Sequence, residues 1–468
     1  MDNKLPSHFS CRTFLWCIYC IFFTADLFAQ QVPAKSDSTL IKSFFDLALT
    51  GNKLNEDLLF LTKKIGPRIS GSANAQKSVD WARKIMMEIN PDSVYLQRVM
   101  VPHWERGAKE ISFFKTGNKK TEMTVCAFGG SVATDGLLHA KVIEVNSWTE
   151  LAALKESEVK GRFIFFNRAM DLREVETYKA YLGAVDQRSK GAIEAAKKGA
   201  IGVLVRSLTL KTDDIPHTGA VGYDITIKKI PAAAIGIQSA EILSVALRKN
   251  ANLTFSLHMQ CKQLPEEVSY NLIGELRGTT FPKDFITVGA HLDSWDLGEG
   301  AADDGTGVVQ TLEVLRILKN MDKRPERSFR AILYMNEESG AHGAIQYAKE
   351  AREKNENHIA VLESDVGGFT PRGFRVDGSR TAVKQIKTWM ELFVPYGVGE
   401  IYPNQRGIDL VPMKGLSKVL ISLECDDQRF FDIHHSTSDT YDKLNIREVK
   451  LGAASMTSLA YLILKYGL

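Results

Sequence analysis

Three short apolar runs, Phe285 to Ala290, Phe329 to Met335 and Ile359 to Leu362, each stop at a cluster of acidic or histidine residues. Apolar runs of this length with no polar alternation read as strands covered on both faces, the signature of parallel sheets. After the first run, Val308, Leu312, Leu315 and Leu318 recur at steps of four, three and three, which predicts an amphipathic helix. Strand, loop and helix thus alternate, which predicts parallel βαβ units in an α/β domain whose central mixed, largely parallel sheet is flanked by helices.

Upstream the pattern changes twice. Helices are predicted over Leu40 to Leu49, Glu56 to Ile65 and Ala73 to Ile89, with strands from Val94 onward. Between residues 121 and 263, "HAKVIEVN", "GRFIFFN", "IGVLVRS", "IPAAAIGI" and "NLTFSLHM" read as short strands, and "KGAIEAAKKGA" and "SAEILSVALRKN" as helices. This stretch carries no cluster of metal-ligand residues. The expected organisation is therefore a catalytic domain of residues 30–120 and 264–468, interrupted by an inserted unit of residues 121–263.

The polar segments that follow the strands carry the chemistry: "AHLDSWD", "GAADDGTG", "NEESG", "LESDVGG" and "IHHSTSDT". Residues at the carboxyl ends of strands in an open α/β sheet collect along one edge, where ligands bind. Zinc accepts imidazole nitrogen and carboxylate oxygen, and two such ions can share one carboxylate and clamp a hydrolytic reaction from both sides. The expected cofactor is two Zn2+ per chain, with His291 and Asp365 on one metal, Glu338 and His435 on the other, and Asp303 between them. Three ligand carboxylates with Glu337 then match the charge of two zinc ions. Glu337, beside ligand Glu338, is the expected general base. Asp293 is expected to accept a hydrogen bond from His291 and fix its tautomer, and Asp439 to support His435. Gly298, Gly300, Gly305 and Gly307 let the chain turn sharply around Asp303. Each segment alone is ordinary: an acidic pair opening a helix, an Asp/Gly loop, a capped turn. Their succession, one after each predicted strand, is what points to a site.

In this order the segments resemble the co-catalytic dizinc exopeptidases, the family that includes bacterial leucyl aminopeptidases and glutamate carboxypeptidase. The likeness continues outside them, through "GPRISGS" at Gly66 to Ser72, "PHWERG" at Pro102 to Gly107 and "PHTG" at Pro216 to Gly219, and runs from about Lys64 to the C-terminus. The resemblance implies the zinc-exopeptidase fold, with the family's ligands mapping onto His291, Asp303, Glu338, Asp365 and His435 and its catalytic glutamate onto Glu337. His435 is preferred to His434 because the family's ligand stands four residues before the Asp of "DT", here Asp439. It further implies a cis peptide between Asp303 and Asp304, a homodimer, and, from "AAKKGAIGVLV", a protease-associated-like identity for the insert. The substrate it implies is a dipeptide or short peptide, cut by a carboxypeptidase or dipeptidase, with an aminopeptidase of the same family as the alternative. A glutaminyl-cyclase-like transferase would use one metal, and a binding module on a dead peptidase fold would have lost ligands. "PHWERG" is expected where the insert meets the cleft, with Trp104 and Arg106 as a buried structural pair rather than cleft lining.

The first 29 residues read separately. Lys4 and Arg12 precede an apolar run from Phe14 to Phe23, and Ala29 offers a cleavage site, so a signal peptide is expected rather than a bilayer-spanning anchor, which needs about 20 apolar residues. The mature protein would be periplasmic or extracellular, with a lipoprotein on Cys17 or Cys20 as second choice and no stable membrane span. Three cysteines remain beyond the leader, Cys126, Cys261 and Cys425, too few and too scattered for a disulfide framework. The chain holds 59 basic and 56 acidic residues, a net charge of +3 that gives no reason to expect a nucleic-acid partner.

Overall fold

A computed structural model describes residues 33–468; the leader expected over residues 1–29 lies outside the described residues. Two eight-stranded sheets organise the chain. The first has at its centre, in spatial order, the strands Arg327–Tyr334, Phe281–His291, Asn357–Glu363 and Val419–Cys425, all parallel to their neighbours. Antiparallel strands flank this parallel core: Lys262–Leu276 and Ser93–Glu105 on one side, Pro371–Gly378 on the other. The sheet is mixed and largely parallel in its centre, as the apolar runs predict.

Those runs are apolar throughout because both faces are covered. Along Arg327–Tyr334, Phe329, Ala331 and Leu333 enter one core with the helices Ala73–Ile89, Thr306–Lys319 and Ile446–Tyr466. Ile332 and Tyr334 point the opposite way, onto Tyr347, Ala348 and Ala351 of the helix His342–Glu353. Val308, Leu312, Leu315 and Leu318 all lie on the buried face, confirming the spacing argument. Each such side chain contributes roughly 1.5–3 kcal/mol of burial, so these strands hold the sheet on both faces with apolar contacts alone. The helix Ala73–Ile89 has its predicted ends, capped by Ser72, whose hydroxyl accepts from the Ala75 amide.

The second sheet runs, in spatial order, through Lys119–Glu122, Glu110–Thr116, Thr254–Met259, Leu138–Val145, Phe163–Phe166, Gly202–Arg206, Ala232–Ile235 and Val125–Ala127. Its central strands Phe163–Phe166, Gly202–Arg206 and Ala232–Ile235 are also buried on both faces. Phe163, Phe165, Leu204, Ala233 and Ile235 pack against the helix Ile237–Lys249, while Ile164, Phe166, Val203 and Val205 pack against Asp186–Lys197. This sheet begins at Glu110 rather than at residue 121: the hairpin Glu110–Glu122 pairs with Thr254–Met259. The charged stretch around Lys115 to Lys120 hides that hairpin from a hydrophobicity pattern. The long antiparallel pair Ser93–Glu105 and Lys262–Leu276 carries the chain out to the second sheet and back, pairing from Ser93 with Glu275 to Glu105 with Lys262.

At the junction, Trp104 is buried and its indole donates to the Ser131 carbonyl. The Arg106 guanidinium forms a forked pair with Asp296, at 2.8 and 2.7 Å, and also reaches the Ala127 carbonyl. Both residues join the two units instead of lining a cleft. Cys126, Cys261 and Cys425 are buried and free, and among the described residues no helix is long and apolar enough to cross a membrane.

Candidate metal centre

The carboxyl edge of the first sheet gathers the sequence-predicted residues. His291 closes its strand, Glu337 and Glu338 follow Arg327–Tyr334, Asp365 follows Asn357–Glu363, and His434 and His435 lie in the segment after Val419–Cys425. Asp303 arrives from the loop between His291 and the helix Thr306–Lys319 and is joined to Asp304 by a cis peptide bond.

His291 Nε2 lies 3.1 Å from Asp303 Oδ1 and 3.2 Å from Asp365 Oδ1. His435 Nε2 lies 3.2 Å from Asp303 Oδ2 and 3.1 Å from Glu338 Oε2. The two oxygens of one carboxylate are thus divided between two imidazoles. Glu337 stands beside the first group, its Oε2 4.0 Å from His291 Nε2. His434 stacks on His435 with ring centres 3.5 Å apart and brings its Nε2 to 3.7 Å from Asp303 Oδ2. Among the described residues, two sets of donors lie within 4.8 Å of one another: His291, Asp303 and Asp365, and Asp303, His434 and His435. Glu338 joins the second set through His435, and its other oxygen, Oε1, is buried without a hydrogen-bond partner. Imidazole nitrogens and carboxylate oxygens at this spacing, with a ligand atom left free, are a donor set that fits zinc.

The supporting contacts differ in detail from the expectation. His291 Nδ1 is hydrogen-bonded to the carbonyl oxygen of Asp293, at 3.0 Å, and stands 3.9 Å from its carboxylate. The Asp293 carboxylate instead accepts from the amides of Asn336 and Glu337, at 2.7 and 3.1 Å, and so holds the acidic pair in place. Asp439 supports Asp303 rather than His435, accepting from the amides of Ala302 and Asp303 at 2.7 and 3.2 Å. Asp304 accepts from Gly307 N and His291 N. At Gly307 a Cβ would sit 2.0 Å from the Ser364 carbonyl oxygen, so the turn after Asp303 closes only around a glycine.

Sequence reasoning missed several participants. Arg68, fully buried, donates to the carbonyls of Leu292, Glu299 and Gly300 and pins the loop that carries Asp303. Besides Asp293 and Asp439, which the sequence does single out, the buried carboxyls Asp304, Glu363 and Asp409 crowd the same edge. Burial, reinforced by neighbouring carboxylates, holds Glu363 and Asp409 well above the carboxylate range, and Asp439 is pushed up to about 7 chiefly by burial. The simple charge balance therefore leaves out these carboxyls and the cation of Arg68. Burial also raises Glu337 far above its usual range, with Asp365 and Glu338 adding to the effect against His291. Burial disfavours a charged His435, yet the Glu338 carboxylate and the hydrogen bonds to Asp303 and Glu338 carry it up to about 9.

The second unit reaches this edge as well. Thr218 N donates to the His435 carbonyl at 2.8 Å, His217 Nδ1 donates to the His434 carbonyl at 2.6 Å, and the Thr218 carbonyl lies 3.4 Å from His435 Nδ1. Arg188, on the helix Asp186–Lys197, comes within 3.5 Å of the same nitrogen. The "PHTG" motif marks this docking, though nothing in its composition names the partner.

Residues 271–460 match the profile of peptidase family M28. The chain is 34% identical to carboxypeptidase Q of Xenopus laevis over 92% of its own length and 91% of that protein. It is 32% identical to human carboxypeptidase Q over 90% of this chain and 88% of that one. Among solved structures, an M28 peptidase precursor from Shewanella amazonensis superposes with a TM-score of 0.87 at 30% identity, covering 92% of this chain and 97% of the other. A zinc aminopeptidase from Bacillus subtilis shares the fold with a TM-score of 0.63 at 20% identity, over 93% and 97% of the two chains.

Proposed function

The chain belongs to peptidase family M28, a zinc metallopeptidase of the exopeptidase type, and from that premise we propose that it uses two zinc ions to hydrolyse dipeptides or short peptides. The observation that carries the two-metal reading is Asp303, whose Oδ1 faces His291 and whose Oδ2 faces His435 at matching distances. His291, Asp303 and Asp365 would hold one ion, and Asp303, Glu338 and His435 the other. Zinc, when bound, supplies Lewis acidity at the scissile carbonyl and lowers the pKa of water.

The protein's own groups supply the rest. Glu337 takes the proton from the attacking water and returns it to the leaving amine nitrogen. Its buried setting favours the protonated form once the proton has arrived. Asp293 keeps its carboxylate on the backbone amides of Asn336 and Glu337, so the base is aimed without a contact to its own oxygens. Asp439 and Arg68 hold the Asp303 loop from behind.

Glu337→Gln tests this reading: it should retain both zinc ions, measured by metal analysis, while turnover of a dipeptide falls roughly 100- to 10,000-fold. A variant with near-normal turnover removes Glu337 from the mechanism. Phenanthroline should abolish wild-type activity and added zinc restore it. The likeness to carboxypeptidase Q supports the carboxypeptidase or dipeptidase mode over the aminopeptidase one. The leader pattern in residues 1–29 supports export, and the second sheet is read as a protease-associated-like insert. A homodimer, implied by resemblance, is testable by light scattering.

A further inference from the structure

Arg188 meets no carboxylate, unlike Arg106 and Arg406, and, unlike Arg68, whose N–H groups are taken up by three carbonyls, it has an N–H left without a partner. Arg106 is matched by Asp296, and Arg406 by Glu176 and Glu424. Arg188 makes no ion pair among the described residues. Its Nη2 donates to the Tyr181 hydroxyl at 2.9 Å, its Nη1 to the Thr218 carbonyl at 3.4 Å, and its buried Nε–H has no partner at all. Its surroundings are aromatic: the guanidinium lies 5.7 Å from the Tyr181 ring centre, and that ring meets His434 edge-on at 5.4 Å. Space is reserved for it, since a Cβ on Gly219, at φ +135°, would fall 2.3 Å from Nη1. A partly buried cation without a counter-charge is costly to hold and is stabilised by an anion that arrives from outside.

We propose that Arg188 is the receptor for the free carboxylate of the substrate, so that the preferred substrates are peptides whose C-terminal residue is the one released. The proposal rests on the exopeptidase reading above and deepens it. A guanidinium recognises a carboxylate through paired N–H donors, and the unpartnered Nε–H together with an Nη–H forms such an edge. The Tyr181 hydroxyl, already bound to Nη2, holds the fork in position. The same cation repels a protonated amine, so a subsite built around it disfavours an aminopeptidase orientation. Because Arg188 belongs to the second unit and reaches the Nδ1 side of His435, that unit would set substrate class while the first sheet holds the reacting groups.

The test compares alanyl-leucine with alanyl-leucinamide on the zinc-loaded enzyme, for wild type, Arg188→Met and Arg188→Lys. Wild type should favour the free acid in kcat/KM, and Arg188→Met should raise KM for the acid about 10- to 100-fold with kcat little changed, abolishing the preference. Arg188→Lys, which keeps the charge but not the fork, should recover part of it. A calorimetric titration of leucine into the Glu337→Gln protein, with and without Arg188→Met, reads the same contact without turnover and should show the same loss. The proposal is overturned if wild type cuts acid and amide equally, if Arg188→Met weakens both alike, or if leucine binding does not move. If zinc-loaded wild type cuts neither peptide, the exopeptidase reading fails, and the leucine titration still decides the role of Arg188.

Discussion

The two sheets are built alike and do different things. Each has a run of parallel apolar strands covered by helices on both faces, with "AILY" and "AVLE" in one matched by "FIFF" and "GVLV" in the other. They part company at the strand ends and in the few residues that follow them. In the first sheet, the strands lead into His291, Glu337, Glu338 and Asp365. In the second, they lead into Asn167 and Ser207, which satisfy neighbouring groups: Asn167 donates to Glu144, and Ser207 donates to the Ile235 carbonyl. The strand cores of the two units are alike in composition and burial, whereas the residues that follow them are not. The second unit serves the site through a helix and a loop, by way of Arg188 and the His217–Thr218 turn, a route that no strand pattern announces.

The sharpest way to break this contrast is to remove the residue on which the first edge turns. Asp303→Ala should cost both donor groups, with zinc per chain falling below two and activity dropping more than about a thousandfold. Full zinc occupancy in that variant would mean that the two clusters do not share a ligand. Next in size is Asp439→Asn, which disturbs only the amides of Ala302 and Asp303. Outer contacts of this kind are worth roughly 10- to 100-fold in metal affinity, and a competition titration with a zinc chelator should find a loss in that range.

How far the sequence revealed these features follows the same division. Strand positions, the helix over Ala73–Ile89 and the gathering of His291, Asp303, Glu338, Asp365 and His435 were readable because periodicity and order along the chain encode them. The hairpin Glu110–Glu122 was not, since its lysine-rich turn masks the alternation in Phe113 and Phe114. Nor was the docking of His217 on His434, which spans 217 residues and is made through a backbone carbonyl. Asp293 was placed correctly near His291, yet its carboxylate serves Asn336 and Glu337. A sequence shows proximity but not which oxygen accepts. Arg68 and Arg188 look like ordinary charged residues until their partners, none of them a carboxylate, are seen.

A smaller effect is expected where the second unit touches the first. Burial depresses His217 to about 4, so the ring is neutral at pH 7 and its Nδ1–H donates to the His434 carbonyl. His217→Gln should lower kcat/KM roughly two- to tenfold, the worth of one hydrogen bond. The sign of the pH effect follows from the depressed value: between about 4 and the unfolded value of 6.5, the unfolded chain binds the extra proton. The stability that wild type holds over His217→Gln should therefore shrink as pH falls through that window, and urea unfolding at several pH values measures it. A gap that widened toward acid would mean that His217 is held as a cation.

The smallest effect on activity is expected at a strand end of the second sheet, and it is the most direct control on the comparison. Asn167→Ala removes the hydrogen bonds to Glu144 and from Arg206, but Glu144 keeps Ser244 and Arg206 keeps Glu241. The cost should be about 1 kcal/mol in urea unfolding, with kcat/KM within twofold of wild type and zinc content unchanged. Asn167 lies one residue past a parallel strand, in the kind of segment just after a strand end from which the first sheet draws Glu337, Glu338 and Asp365. If this substitution abolished hydrolysis while the protein stayed folded, the second sheet would carry a catalytic edge of its own, and the division of labour between the two units would have to be redrawn.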